Sequence, residues 1–291
     1  MMAATSAITT ELDQPIQFAE LSWRGQPLRL EYQWVGVSES AFPVVVFLHE
    51  GLGSVSLWKD FPEQFCRHHG FKGLVFSRYG YGQSTARPAD DRFPVDFMQQ
   101  QAVDVLPGFL QHIYCLQQQA VDVLPGFLQQ LGVKKPWLFG HSDGGSIALL
   151  YAAQFPDDVS GIVVVAPHIF VEEMTVAAIR DAKNVYQGGI LRERLARYHS
   201  DVDSAFWGWN DVWLDPEFFH WNIEDRLSNI SCPVLAVQGE DDEYGTLAQI
   251  IGIQKKVPHT VLQVIPQCGH SPHRDQPEAL IEKAGQFIKE A

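Results

Sequence analysis

The sequence has few cysteines and lacks any long apolar run. Its four cysteines, Cys66, Cys115, Cys232 and Cys268, show neither a C-x-x-C spacing nor a disulfide-rich pattern, which is typical of reduced intracellular thiols. No apolar stretch approaches the ~18 residues that a membrane span requires, and residues 1–15 lack the pattern of an export signal. We therefore predict a cytoplasmic protein without a membrane anchor.

Positive charge is also scarce, with 21 Lys and Arg against 35 Asp and Glu and a formal net charge of -14. The few cations are scattered along the chain, so we do not expect the basic patch that a nucleic acid or an anionic membrane would need. A small neutral or uncharged polar molecule is the expected partner. The composition carries no prediction of the oligomeric state.

The sequence contains enough apolar residues for a large core, since 46% of its 291 residues are hydrophobic. Continuous apolar runs alternate with helical patterns, which predicts an α/β fold around a mostly parallel sheet. Residues 16–35 instead predict an antiparallel hairpin. The apolar runs lie at residues 43–48, 72–79, 136–139, 159–166, 232–238 and 260–265, and the segments between them include predicted helices at 56–69, 244–257 and 276–289.

Residues 169–229 differ in pattern, since they combine helical periodicity with a cluster of aromatic residues and no buried strand. We interpret them as a helical cap inserted into a core formed by residues 1–168 and 230–291. Aromatic residues at helical spacing usually pack among themselves. Some should still face a ligand pocket, and Trp207, Trp209 and Trp213 are the candidates.

A tandem duplication interrupts the core, because residues 99–111 recur letter for letter at 117–129. The period is 18 residues, so the units are 99–116 and 117–134, and two copies are too few for a repeat architecture. Pro107 and Pro125 oppose an uninterrupted helix, which predicts two kinked segments. The second copy leads into the next strand, so we interpret it as the packed helix and the first as the addition.

The stretch Gly140-His141-Ser142-Asp143-Gly144 follows an apolar strand and precedes a helical pattern. Flanking glycines allow a turn tight enough to present a serine hydroxyl, so Ser142 is the candidate nucleophile. A second glycine-rich stretch, His49 to Gly53, also follows a buried strand. It is either a plain turn or a loop whose backbone N–H groups bind an oxyanion.

Two further motifs follow strands, as Ser142 does. One is Gly239-Glu240-Asp241-Asp242 and the other is Cys268-Gly269-His270-Ser271-Pro272. Serine needs a base to remove its proton, and histidine needs a carboxylate to fix its tautomer. The order serine, carboxylate, histidine therefore indicates nucleophilic catalysis by Ser142 and His270.

Together with Gly80-Tyr81-Gly82-Gln83-Ser84, these motifs resemble those of α/β-hydrolase fold enzymes with a helical cap, from about residue 16 to the end of the chain. The resemblance implies an eight-stranded sheet and assigns the acid to Asp242, with Asp241 as its rival. It implies oxyanion donors at the backbone N–H groups of Asp143 and Gly51, with Leu52 as the alternative to Gly51. Glu50 stands where the family usually has glycine.

Other residues have plainer interpretations. Cys268, His270 and His273 lack the fourth convergent ligand of a zinc site, so we predict no metal, and no cofactor is expected. Glu50 is predicted to lie beside the pocket, and His168 either lines the pocket or makes a plain polar contact with the cap.

The sequence thus predicts a serine hydrolase that cleaves a small ester, thioester or lactone through an acyl-enzyme. Three alternatives share the fold. They are a carbon-carbon bond hydrolase of ring-cleavage products, a lyase or cofactor-free oxygenase, and a slow-turnover small-molecule-binding protein.

Overall fold

The computed structural model describes residues 14–23, 26–88 and 119–291. Within them, eight strands form one sheet, as the resemblance implies. The strands are β1 (Gln17–Trp23), β2 (Gln26–Gly36), β3 (Val45–Leu48), β4 (Lys72–Phe76), β5 (Trp137–His141), β6 (Gly161–Val165), β7 (Val234–Gly239) and β8 (Val261–Ile265).

The strand order is β1-β2-β4-β3-β5-β6-β7-β8. β1 and β2 form the predicted antiparallel hairpin at one edge, and β2 is also antiparallel to β4. All other neighbours are parallel, so the carboxyl ends of β3 to β8 lie at one edge of the sheet. Ligands of open α/β sheets bind at that edge. The predicted fold class is confirmed.

The described helices cover both faces of the sheet and the segment before β7. They are α1 (Phe61–His69), α2 (Gln119–Gln130), α3 (Asp143–Gln154), α4 (Glu173–Gln187), α5 (Ile190–Leu195), α6 (Val202–Trp213), α7 (Ala248–Lys256), α8 (Pro272–Asp275) and α9 (Pro277–Glu290), with 3-10 turns at Ser56–Trp58, Phe218–His220 and Glu224–Asn229. In these ranges no helix has the length and apolarity to cross a bilayer.

Two predicted helices are shorter than expected. The helix predicted from residue 56 is interrupted at Lys59, which has a φ of 57° that a helix does not allow. The helix predicted from Tyr244 begins at Ala248. The reason is that the Asp242 carboxylate accepts a hydrogen bond from the Tyr244 N–H (2.8 Å), which fixes a turn there.

The core has two layers because β3 alternates its side chains between the sheet faces. Val46 and Leu48 pack on the face covered by α2 and α3, and Phe47 packs on the face covered by α1 and α9. Burying a phenylalanine such as Phe47 contributes roughly 1.5–3 kcal/mol to the free energy of unfolding. This burial holds the carboxyl end of β3 beside that of β5.

The second copy of the duplication forms α2, which continues through Pro125. The predicted interruption at this proline is therefore wrong for the second copy. Pro125 removes one backbone hydrogen bond, but Leu124, Phe127 and Leu128 on the same helix are buried against the sheet. The first copy, 99–111, lies outside the described residues.

Residues 169–229 contain α4, α5, α6 and two 3-10 turns. Phe170 and Asn222 form an antiparallel bridge that joins the two ends of this segment. Helices α4 and α6 pack through Tyr186 and Phe206, whose rings stack at 3.6 Å between centroids. The segment therefore holds itself together with its own aromatic residues while it lies over the carboxyl edge of the sheet.

Candidate active site

Ser142 lies in the sharp turn between β5 and α3, with φ 52° and ψ -118°. The turn requires both flanking glycines. A Cβ at Gly140 would lie 2.2 Å from the Gly144 carbonyl oxygen, and one at Gly144 would lie 2.0 Å from the Leu48 carbonyl oxygen. The strained serine backbone is the kind of local strain that recurs at functional sites.

Three segments at the carboxyl edge bring Ser142, His270 and Asp242 together. His270 Nε2 lies 3.0 Å from Ser142 Oγ, and His270 Nδ1 lies 2.9 and 3.0 Å from the two Asp242 carboxylate oxygens. Asp241 is exposed, and its N–H donates to the Cys268 carbonyl (2.9 Å). The geometry thus favours Asp242 over its rival as the partner of His270.

The Asp242 carboxylate is held by more than His270. Gln238 Nε2 donates to Oδ2 (2.6 Å) and the Tyr244 N–H donates to Oδ1 (2.8 Å). Burial opposes ionisation, but the hydrogen bond and charge of His270 and the Tyr244 N–H outweigh it and lower the pKa of Asp242. The residue is therefore a fixed anion that can orient His270.

A second set of contacts holds the backbone of His270. His141 Nε2 lies 2.7 Å from the His270 carbonyl, and the His270 N–H donates to Glu243 Oε2 (3.1 Å). On its other side, His141 Nδ1 lies 3.7 Å from Glu50 Oε2. Burial disfavours the Glu50 charge, yet His141, His273 and Arg274 lower its pKa well below the usual value.

A cavity of about 560 Å³ lies between these loops and the helices of residues 169–229. The predicted pocket residues Glu50, His168, Trp209 and Trp213 line it together with Ser142. Its apolar walls come from both parts of the chain, namely Leu52, Leu57, Ile179, Leu195, Trp209 and Trp213.

Trp207 is the predicted pocket residue that does not line this cavity, so the prediction is wrong at this position. Its ring packs against Tyr186 and Phe206 (5.5 and 5.1 Å between centroids). The reason is helical spacing. Trp213 follows Trp209 by four residues and shares its face of α6, whereas Trp207 is two residues away and points to the other side.

The predicted oxyanion donors Asp143 and Gly51 line the cavity, as does the alternative Leu52. Asp143 is the first residue of α3, and N–H groups of a first helical turn have no acceptor within the helix. Gly51 packs closely beneath α6, because a Cβ there would lie 2.2 Å from Trp209 Nε1. The Leu52 carbonyl lies 2.9 Å from His199 Nε2, a second contact with the helical segment.

The Asp143 side chain is buried, and within the described residues its carboxylate oxygens accept no hydrogen bond of good geometry, although the nearby Trp213 indole N–H favours the charged form. Burial raises its pKa to about 6, and the nearby Arg78 charge only partly offsets this. His168 is similarly buried, and burial together with the His270 charge lowers its pKa to about 3. Its ring contacts Trp213 at 5.1 Å between centroids, so the cavity wall carries a neutral imidazole.

His273 does not act with Cys268 and His270 as a ligand cluster. Its ring packs against Trp58 and Phe61 (5.0 and 5.7 Å between centroids), and burial lowers its pKa to about 2. In the described part of the chain, a different group, His68, His69 and Glu282, brings three ligand atoms within 4.8 Å. It lies on α1 and α9, outside the cavity.

Residues 45–283 match the alpha/beta hydrolase family. The match covers the sheet from β3 onward and the helical segment, and it includes Ser142, Asp242 and His270. The chain belongs to the alpha/beta hydrolase family.

The relatives of this alpha/beta hydrolase are named for several different activities. It is 29% identical over 257 residues to the human serine hydrolase BPHL, with 84% of this chain and 78% of that protein covered. It is 24% identical over 165 residues to a 2-hydroxy-6-oxononadienedioate/2-hydroxy-6-oxononatrienedioate hydrolase of Comamonas testosteroni, with 48% and 58% covered. An esterase structure from Thermogutta terrifontis superposes with a TM-score of 0.68 at 18% identity, covering 94% and 98%.

Sequence reasoning missed Gln238 and Glu243, which hold Asp242 and the His270 backbone. Gln238 is the penultimate residue of β7, where a polar side chain interrupts a buried apolar run. That interruption is the signal that would have marked it.

Proposed function

We propose that this alpha/beta hydrolase cleaves a small carboxylic ester, thioester or lactone through an acyl-enzyme on Ser142. The observation that carries the proposal is the unbroken chain of hydrogen bonds from Asp242 through His270 to Ser142 Oγ. Ser142, at the end of this series of hydrogen bonds, lines a cavity with mainly apolar walls. Such an arrangement activates a hydroxyl that is otherwise a weak nucleophile.

In the proposed reaction, His270 Nε2 removes the proton of Ser142 Oγ as the oxygen attacks the carbonyl carbon. Asp242 holds the imidazole in the tautomer with a proton on Nδ1 and stabilises the imidazolium. The oxyanion accepts hydrogen bonds from the Asp143 N–H and from that of Gly51 or Leu52. His270 then protonates the leaving alkoxide and activates the water that releases the acid.

A second candidate is hydrolysis of a carbon-carbon bond in a ring-cleavage product. The Comamonas relative is named as a hydrolase of 2-hydroxy-6-oxononadienedioate, and it matches about half of this chain. Incubation with a 2-hydroxy-6-oxo-dienoate distinguishes the two, because cleavage removes the conjugated chromophore. If this compound loses its absorbance faster than p-nitrophenyl acetate and butyrate are hydrolysed, carbon-carbon bond hydrolysis would replace the ester proposal.

The test of the ester proposal compares the wild type with Ser142→Ala on p-nitrophenyl acetate and butyrate. We expect kcat/KM to fall by at least about 10³, since removal of a triad nucleophile has effects of this size or larger. Ser160→Ala is the matched control, because that hydroxyl bonds the Lys135 carbonyl outside the cavity. A fluorophosphonate should add its mass to the wild type and not to Ser142→Ala. A folded Ser142→Ala protein with wild-type turnover would refute the proposal.

A further inference from the structure

The solvent end of the cavity concentrates positive charge. Lys59, Arg194, Arg197 and Arg274 all line the cavity, and all four are exposed, whereas Ser142 at its base is buried. The whole chain has 21 cationic against 35 acidic side chains. This end of the cavity therefore has a charge of opposite sign to that of the whole chain.

Two of these cations contact Tyr198, which also lines the cavity, since Lys59 and Arg197 both lie over its ring. Lys59 Nζ donates to the Tyr198 hydroxyl and lies 4.2 Å from the centre of its ring. The hydrogen bond from Lys59 is the largest cause of a lowered pKa of Tyr198, and the charges of Arg197 and Arg274 add to it. A negative charge is thus favoured at the place where these side chains meet.

The acidic residues of the cavity pair with only one of these four cations, Arg274. Glu50 pairs with Arg274 (3.4 Å) and lies beside His141. Asp143 is buried next to the nucleophile, and Glu243 binds the His270 N–H. Among the described residues, the ion pairs do not include Lys59, Arg194 or Arg197.

We propose that the substrate carries a carboxylate, which binds Lys59, Arg194 and Arg197 at the solvent end while its ester carbonyl lies at Ser142. Apolar side chains between the two ends, including Ile179 and Leu195, then contact the hydrocarbon that links them. Guanidinium groups bind carboxylates through two parallel hydrogen bonds. This inference rests on the proposed function, because ester hydrolysis by Ser142 is its readout.

The test uses two pairs of esters, each an acid and its uncharged methyl ester. Mono-p-nitrophenyl glutarate and its methyl ester place the charge on the acyl part, and 4-acetoxybenzoate and its methyl ester place it on the alcohol part. The measured quantity is the ratio of kcat/KM between acid and methyl ester within each pair. Taking this ratio for each variant cancels the intrinsic reactivity of the esters.

In the double variant Lys59→Met/Arg197→Gln, the ratio should fall by about fivefold or more for at least one pair, since exposed charge contacts have effects of this order. Raising the salt to ~0.5 M NaCl should lower the wild-type ratio in the same direction. The control Arg226→Gln removes an exposed arginine outside the cavity and should retain the ratio. Arg197→Gln alone serves if the double variant does not fold.

Ratios that are equal in the wild type and in the variant for both pairs would overturn the inference while leaving ester hydrolysis intact. Hydrolysis of these esters by folded Ser142→Ala protein would instead refute the proposed function. The two failures are therefore distinguishable in one set of assays.

Discussion

Replacing Asp143 with asparagine should change the stability of the protein in a pH-dependent way. Burial raises the pKa of this carboxyl from 3.8 to about 6, and each pKa unit corresponds to about 1.36 kcal/mol. The folded state therefore binds this proton more tightly than the unfolded state does. The wild type has this contribution in full below pH 3.8 and loses about 3 kcal/mol as the pH rises through 6.

The asparagine side chain of the variant cannot ionise, so the difference between the two proteins isolates this single group. Because His168, His273 and Asp242 are present in both, their titrations largely cancel. Of the total, about 2 kcal/mol falls between about pH 4.5 and 7.5. In a chain of this size, that amount shifts the melting temperature by roughly 4 °C.

The assay is thermal unfolding of the wild type and of Asp143→Asn at both pH values, with urea titration as a second measure. The stability of the variant relative to the wild type should increase by about 2 kcal/mol from the lower to the higher pH. The exposed Asp241→Asn is the control and should show no such change. A gap for Asp143→Asn that is independent of pH would refute the reasoning, since it would mean that the carboxyl remains hydrated.

Two other substitutions test the geometry of the site with matched controls. Asp242→Asn should lower kcat on p-nitrophenyl butyrate by about 10⁴, because an amide disfavours the required histidine tautomer, while Asp241→Asn should leave it unchanged; the opposite result would exchange their roles. Gly144→Ala should lower the free energy of unfolding by about 3 kcal/mol or more, because its Cβ would lie 2.0 Å from the Leu48 carbonyl oxygen. Gly126→Ala, whose Cβ meets nothing within 4 Å, should instead raise it by up to about 1 kcal/mol, and equal melting temperatures for the two alanine variants would contradict this packing.

The turn at Ser142 and its partner residues could be predicted because each motif follows a buried strand. Parallel strands have their carboxyl ends at one edge, so Ser142, Asp242 and His270 had to lie near one another once the strands were identified. The choice between Asp241 and Asp242 required the resemblance to a known family. The structure adds the reason, since only Asp242 is turned inward, where Gln238 and Tyr244 bind it.

The pocket was less predictable because side-chain direction decides it. Trp207 was included on composition alone, although its spacing from Trp209 already placed it on the opposite face of α6. The expectation of an uncharged ligand came from the scattered distribution of lysine and arginine. In the fold, Lys59 and Arg197 lie 138 residues apart in sequence but line the same cavity, and no analysis of local charge patterns detects such a pair.

The contact between Trp209 and Gly51 links the wall of the cavity to the proposed oxyanion loop. The indole lies directly against the loop that is expected to donate an oxyanion hydrogen bond, and His199 binds the next carbonyl along that loop. Trp209 therefore lines the cavity and also packs against this loop. The position of Trp209 thus affects both the shape of the substrate cavity and the loop that is proposed to stabilise the oxyanion.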